Sequence, residues 1–406
     1  MLGWLSRDGK LLLFARPFQA FSASFVSLFI AVYLDLIGLP LWGIGLILSG
    51  GLLFATLFNL VTGFLADRVG RRRSMVFFGL LAALSGFVFA LTTSPFLLVP
   101  VAVASSLGYR GGFGPANMLE RVILAQACPD ERRTRMYAMR STLNSLATSG
   151  GALFAGAVVL FQRWFGASEV SSYMWMFAIY GALNLVVAVL YSMLSGEAEV
   201  EVEEMEAPPL SPETRRHVLG LSLLFSMDSL GGGFLNPSLL SYWFFDRFGL
   251  GMDVVAVIFA VSNLLAALSF MVAAWVSERI GLIRTMVFSH TPANLLMMAV
   301  PYMPNLAAST AVYFGRSLLC QMDVPTRQSY VMAIVRPEER SRVAGLLNLP
   351  RSLVSALGPT IAGYVMQFMG PSLPFLFGGG IKVLYDVGLY LKFRNVKPPE
   401  ELEVAA

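Results

Sequence analysis

GFLADRVGRRR, residues 63–73, and AWVSERIGLIR, residues 274–284, are the two stretches on which the fold turns. Each closes an apolar block with an acid–arginine pair, then a glycine, then arginine. At a constant offset of 211, Asp67 meets Glu278, Arg68 meets Arg279, Gly70 meets Gly281 and Arg73 meets Arg284. A second pair, PDERR at 129–133 and PEERS at 337–341, repeats at offset 208, where Gly150 meets Gly358. The chain is therefore an internal duplication, and each copy spans about half of its 406 residues.

Outward from these loops, apolar blocks run near 11–34, 42–66, 74–95, 98–127, 136–162, 170–195, 216–245, 250–276, 284–304, 306–333, 342–369 and 371–394. A helix needs about 20 residues to cross a hydrocarbon layer about 30 Å thick, and each block supplies roughly that. The expectation is an all-α membrane protein with twelve transmembrane helices in two pseudo-symmetric six-helix bundles. Residues 1–195 form the first bundle and 216–397 the second. The acidic, proline-containing stretch 196–215 is expected as a cytoplasmic linker, and 398–406 as a cytoplasmic tail.

Composition agrees: 56% of residues are hydrophobic and only 13% charged, too few charges to cover a soluble surface. The net charge of +4 is not a nucleic-acid signal, because the basic residues sit at the ends of apolar blocks. One set of loops carries Arg68, Arg71, Arg72 and Arg73, then Arg132, Arg133 and Arg135, then Arg279 and Arg284, then Arg336, Arg340 and Arg342. The opposite set holds little beyond Arg163 and Arg247. The excess of arginine puts both termini in the cytoplasm of a cell (plasma) membrane protein. The start MLGWLSRDGK carries no small-residue cleavage signature, so the first block is read as retained. Two cysteines exclude a disulfide framework or a four-cysteine metal site, and His217 and His290 lack ligand spacing. No metal or cofactor is expected. GxxxxGK[ST] is absent, which argues against ATP-driven pumping by this chain.

GFLADRVGRRR resembles the signature loop of the major facilitator superfamily (MFS), with a weaker copy after the eighth block, and the span count and midpoint linker match that family too. The resemblance implies a gating loop formed by Gly63, Asp67, Arg68, Gly70 and Arg71, with Glu278 and Arg279 in the second copy. In that family the aspartate matching Asp67 packs near the start of span 11 and an arginine on the span 4–5 side, steadying one conformation. A carboxylate is favoured at a helix start and beside a cation; a plain positive-inside anchor with a turn glycine is the alternative. The resemblance also implies that spans 1, 4, 7 and 10 line a central cavity and that 3, 6, 9 and 12 support it. Arg110 and Gly114 are similar to the family's proton-linked arginine motif, with Phe113 in place of the usual glutamine. Gly358–Pro359 and Gly363 resemble an antiporter motif that exporters carry in span 5; here it lies in span 11, and GGALFAG at 150–156 has no proline.

Ionisable residues inside the blocks point to chemistry. They are Arg16, Arg110, Glu120, Asp228, Arg316, Asp323, Arg327, Lys382 and Asp386. Leaving out Arg16, which sits nearer the end of its block, the other eight would cost about 20–28 kcal/mol if uncompensated on the insertion scale. That exceeds the about 5–15 kcal/mol by which folded proteins are stable, so these groups pair or face water. Asp323 with Arg327 and Lys382 with Asp386 share helix faces at i, i+4. The second pair reads as a local bridge on a supporting helix. Arg16, Arg110, Glu120, Asp228, Asp323 and Arg327 are the candidate substrate- or proton-binding residues, with Glu120 and Arg327 expected to meet in one ionic cluster across the halves. Helix breakers fall in the same blocks: GGFGP at 111–115, GGG at 231–233 with Asn236 and Pro237, Pro325, and Pro17.

The leading expectation is a secondary transporter of a small organic solute, working by alternating access and proton-coupled. The arginines favour an anionic or zwitterionic substrate. A proton-linked multidrug efflux antiporter is the alternative, and a non-transporting membrane solute sensor is a third reading of another class. No nucleophile–base pair argues for an enzyme. The expected partners are the substrate, a proton or other coupling ion and the lipid bilayer, with no nucleic acid and a monomeric chain.

Overall fold

The computed structural model describes residues 4–107, 114–129, 132–199 and 210–396, with the side chains of 63–68, 114, 115, 133, 134, 197, 198, 213, 271, 274, 337 and 341 outside that description. Seventeen α-helices occur among the described residues: α1 (Arg7–Leu36), α2 (Leu41–Val69), α3 (Arg71–Leu91), α4 (Pro95–Ala104), α5 (Gly114–Gln126), α6 (Arg133–Phe154), α7 (Ala157–Phe165), α8 (Glu169–Ser192), α9 (Pro212–Phe234), α10 (Pro237–Phe248), α11 (Met252–Ile280), α12 (Leu282–Ala299), α13 (Leu306–Leu319), α14 (Asp323–Ile334), α15 (Arg340–Ser355), α16 (Gly358–Phe368) and α17 (Leu373–Phe393). No strand occurs among the described residues. Seven helical segments of that set are long and apolar enough to cross a membrane by length and composition. The protein is an all-α membrane protein.

Blocks expected as single spans are often two helices end to end. Breaks fall between α9 and α10 at Leu235–Asn236, just before Pro237, and between α13 and α14 at 320–322, two residues before Pro325. Proline lacks the N–H that an uninterrupted helix would use, and it crowds the preceding turn. Further breaks separate α6 from α7 and α15 from α16. Pro17 behaves differently from expectation: α1 runs unbroken from Arg7 to Leu36 through it.

The duplicated turns are visible in the backbone. Gly70 has φ 101° and Gly281 φ 84°, a region that favours glycine, and each immediately precedes the next helix. Glu199 accepts hydrogen bonds from the Arg71 and Arg72 backbone amides, satisfying donors left free at the start of α3. Ser6, Ser168, Ser211 and Asn305 cap α1, α8, α9 and α13 through their side chains.

By contacts the chain forms two compact units. One comprises Met1–Glu203 with Pro237–Ala260, the other Glu204–Asn236 with Val261–Ala406. In the first, α1 packs on α6, α8 and α10, and every residue from Ser22 to Leu34 is buried. A helix that is apolar on all sides belongs in an interior. Phe25, Phe29, Tyr33, Phe89, Tyr173 and Phe177 interlock there. Close approach of α3 and α8 depends on Gly86, where an added Cβ would lie 2.5 Å from the Gly181 nitrogen. In the second unit α9 packs on α15 and α17, and α12 on α13, α14 and α17. Gly233 lies against Gly358, and an added Cβ on Gly231 would lie 2.7 Å from the Gly378 carbonyl oxygen.

Candidate functional site

The first unit buries three charges together. Glu120 on α5 is fully buried, and Arg140 Nε on α6 reaches its Oε1 at 2.7 Å. Arg140 Nη2 also donates to Asn117 Oδ1. Arg16 Nη1 on α1 stands 3.7 Å from Glu120 Oε2, too far for a hydrogen bond. Its donors go instead to Gln19 Oε1 and Asn144 Oδ1, both at 2.8 Å. Two guanidiniums thus share one carboxylate.

The second unit gathers charges from five helices. Asp228 on α9 takes Lys382 Nζ at 2.6 Å on Oδ1 and Arg327 Nη1 at 3.1 Å on Oδ2. Arg327 also bridges Asp323 at 3.2 Å, as the i, i+4 spacing leads one to expect. His290 on α12 stands between two carboxylates, with Nδ1 2.8 Å from Asp386 Oδ1 and Nε2 3.6 Å from Asp228 Oδ1. Asp386 Oδ2 accepts from Thr291 Oγ1 at 3.1 Å and Asn294 Nδ2 at 3.3 Å. Arg351 on α15 donates to Ser229 Oγ at 3.2 Å and lies over the Phe225 ring, as does Arg327. Gly231 lets the Lys382 stem pass: an added Cβ would sit 2.8 Å from Lys382 Cγ.

Several expectations need correction. Within its own unit Glu120 pairs with Arg140, and in the other unit Arg327 pairs with Asp228 and Asp323. Position along a helix does not reveal a cation that a neighbouring helix offers, and Arg140 is that cation for Glu120. Lys382 and Asp386 do not form the local bridge inferred from their spacing. Each turns to another helix, Lys382 to Asp228 and Asp386 to His290, where a shorter contact is available. Arg140, His290 and Arg351 were missed altogether. A lone histidine in an apolar block was signal enough to find His290, since any titratable group at that depth is costly. Arg110 lies outside the described residues, as do the Gly63, Asp67 and Arg68 side chains. Of the second loop copy, Glu278 is exposed and Arg279 lies 3.9 Å over the Trp275 ring.

The family model for the Major Facilitator Superfamily matches residues 12–322 and 221–406. The chain belongs to the major facilitator superfamily. This MFS chain is 23% identical over 425 aligned positions to an uncharacterized membrane protein of Saccharomyces cerevisiae, covering 96% of this chain and 95% of that one. A Na(+), Li(+), K(+)/H(+) antiporter of Planococcus maritimus is 32% identical over 162 residues, 39% of this chain and 37% of the antiporter. Among solved structures, the nucleoside transporter NupG superposes with TM-score 0.74 at 16% identity, covering 96% of this chain and 99% of NupG. At that identity the likeness shows the MFS fold and no more.

Proposed function

We propose that this MFS protein is a secondary active transporter that carries a small organic anion by alternating access and couples it to protons. One observation carries the reading: each unit holds a guanidinium, Arg16 buried and Arg351 half-buried, that lacks a carboxylate of its own. Arg16 is held by two amides, with Glu120 already committed to Arg140. Arg351 has only a hydroxyl and an aromatic face among the described residues. Each uncompensated cation costs about 2.5–3.5 kcal/mol within a bilayer, and a bound anion offsets that cost. The two moving halves are taken as 1–195 and 216–397, tied by 196–215, with both termini cytoplasmic in the plasma membrane and the chain acting as a monomer. Arg16, Glu120, Asp228, Asp323 and Arg327 serve as the binding groups, together with Arg110.

A thermal-shift screen of the purified chain tests the substrate class, because a ligand raises the melting point only by binding the folded form. Carboxylates or organophosphates should stabilise it and cationic dyes should not; the reverse ranking would refute the anion reading. A second reading, exchange of a monovalent cation for a proton, draws support from the partial likeness to the Planococcus maritimus antiporter. It predicts that sodium or potassium added to acid-loaded proteoliposomes alkalinises their interior without any organic anion.

A further inference from the structure

We propose that His290 is the proton-binding group of this chain, and that its proton decides how firmly Asp228 holds Lys382. The inference rests on the transport reading only for its role in coupling. The binding site itself follows from geometry. An ionised Asp386 can only accept, so with that carboxylate charged the 2.8 Å contact is made by a hydrogen on His290 Nδ1, and the Asn294 amide, 3.1 Å from the same nitrogen, donates to Asp386 Oδ2 instead. In the neutral ring that leaves the Nε2 lone pair facing Asp228 Oδ1 at 3.6 Å, acceptor against acceptor. A proton taken up from water at Nε2 turns this opposition into an ion pair. Nδ1–H stays on Asp386 throughout, so one proton is gained and no other bond changes.

The surroundings are charge-matched for such a switch. Asp228 faces the ring from α9, Asp323 from α14, and Lys382, Tyr385 and Asp386 from α17. Arg327 of α14 acts through Asp228, and Arg351 of α15 lies against Ser229, next to that aspartate in sequence. The α13 helix, also packed on α12, carries Tyr313 and Arg316, and Arg316 is in cation–π contact with Tyr313. With the ring neutral, Asp228, Asp323 and Asp386 equal Arg327, Arg351 and Lys382 in number, with Arg351 contacting none of the three among the described residues. Protonation adds one positive charge and gives Asp228 a third cation, so Lys382 becomes the group most easily released towards an anion. Thr291 and Asn294 hold Asp386, and Asp386 holds the ring, which makes these three positioning residues. The site thus links one proton to one negative charge of substrate, and the transport of a monoanion should be electroneutral.

Only two histidines occur, so in a His217→Gln chain labelled with nitrogen-15 histidine every ring signal belongs to His290. In the full-length protein in lipid nanodiscs, the two ring nitrogens should pass from the neutral to the imidazolium pattern between pH 5 and 8, the window of histidine chemistry. Asp386→Asn should displace the midpoint. A single unchanging pattern from pH 5 to 9 would overturn the proposal whatever the transport result. In proteoliposomes holding a pH dye, a mixture of monocarboxylates should draw protons inward. His290→Gln should cut that proton movement at least tenfold. A titrating His290 with full proton movement in His290→Gln would also overturn the coupling role. Failure of every anion to move would count against the transport reading and leave the nitrogen titration to decide on the proton site.

Discussion

Asp228 Oδ1 lies 2.6 Å from Lys382 Nζ and 3.6 Å from His290 Nε2, so one carboxylate oxygen serves two basic groups from two different helices. That sharing makes the cluster sensitive to the loss of either basic group or of the acid. Breaking a buried pair from one side costs about 3–5 kcal/mol, because the remaining charge is stranded, whereas removing both charges is far milder. Asp228→Asn and Lys382→Met should each lower the heat-unfolding midpoint in detergent, and the double variant should recover much of the loss. Additive losses would mean the two side chains do not depend on each other.

Glu120 gives a contrasting prediction. Glu120→Gln leaves Arg140 and Arg16 without an acid, and the chain should lose stability by about 3–5 kcal/mol. Adding Arg140→Met should restore part of it. Because the coupling proton is assigned to His290, the pH profile of transport in Glu120→Gln should keep its midpoint. A displaced midpoint would return the proton-carrying role to Glu120.

Glu339 lies outside the spans, in the loop before α15, and clasps the start of α9. Its Oε2 accepts from Thr214 Oγ1 and its Oε1 from the Ser211 amide, both at 2.6 Å. These bonds, the Thr214 hydroxyl first, hold the Glu339 carboxyl below the usual glutamate range. A depressed carboxyl stabilises the fold fully above its unfolded value of about 4.3 and loses that contribution as pH falls through the folded value. Measured against the intrinsic exchange rate at each pH, protection of the amides of 211–215 should therefore be high at neutral pH and fall below about pH 4. Glu339→Gln should show fast exchange already at pH 7.

Close helix crossings give a fourth test. An added Cβ on Gly233 would fall 2.5 Å from the Ser355 carbonyl oxygen, with Gly358 on the same side. Gly233→Ala should cost about 1–3 kcal/mol by forcing α9 away from α15 and α16. Gly232, whose added Cβ would meet nothing nearer than Lys382 Nζ at 3.8 Å, should accept alanine with little change in melting point.

What the sequence made legible was whatever depends on neighbours along the chain. Gly70 and Gly281 could be read as paired turns because only a residue tolerant of positive φ fits there. The breaks ahead of Pro237 and Pro325 followed from a missing backbone donor. Asp323 and Arg327 were legible as a pair because one helix sets their spacing. Partners on separate helices were not. Helical periodicity fixes the face a side chain occupies but not which helix lies opposite, and so Glu120 was matched to Arg327 rather than Arg140. The same limit hid the role of Lys382 and Asp386, whose spacing satisfied a local bridge that shorter contacts displaced. His290 escaped because it was weighed for ligand spacing and not for its depth in an apolar block, which was the signal it carried.

The most direct measurement is uptake of labelled small organic anions into proteoliposomes containing this chain, under an imposed inward proton gradient. Saturable accumulation of at least one anion should appear, and Arg16→Gln and Arg351→Gln should each reduce it tenfold or more while cationic dyes stay outside. Movement of cations with none of any anion, or full anion uptake in both arginine variants, would contradict the account.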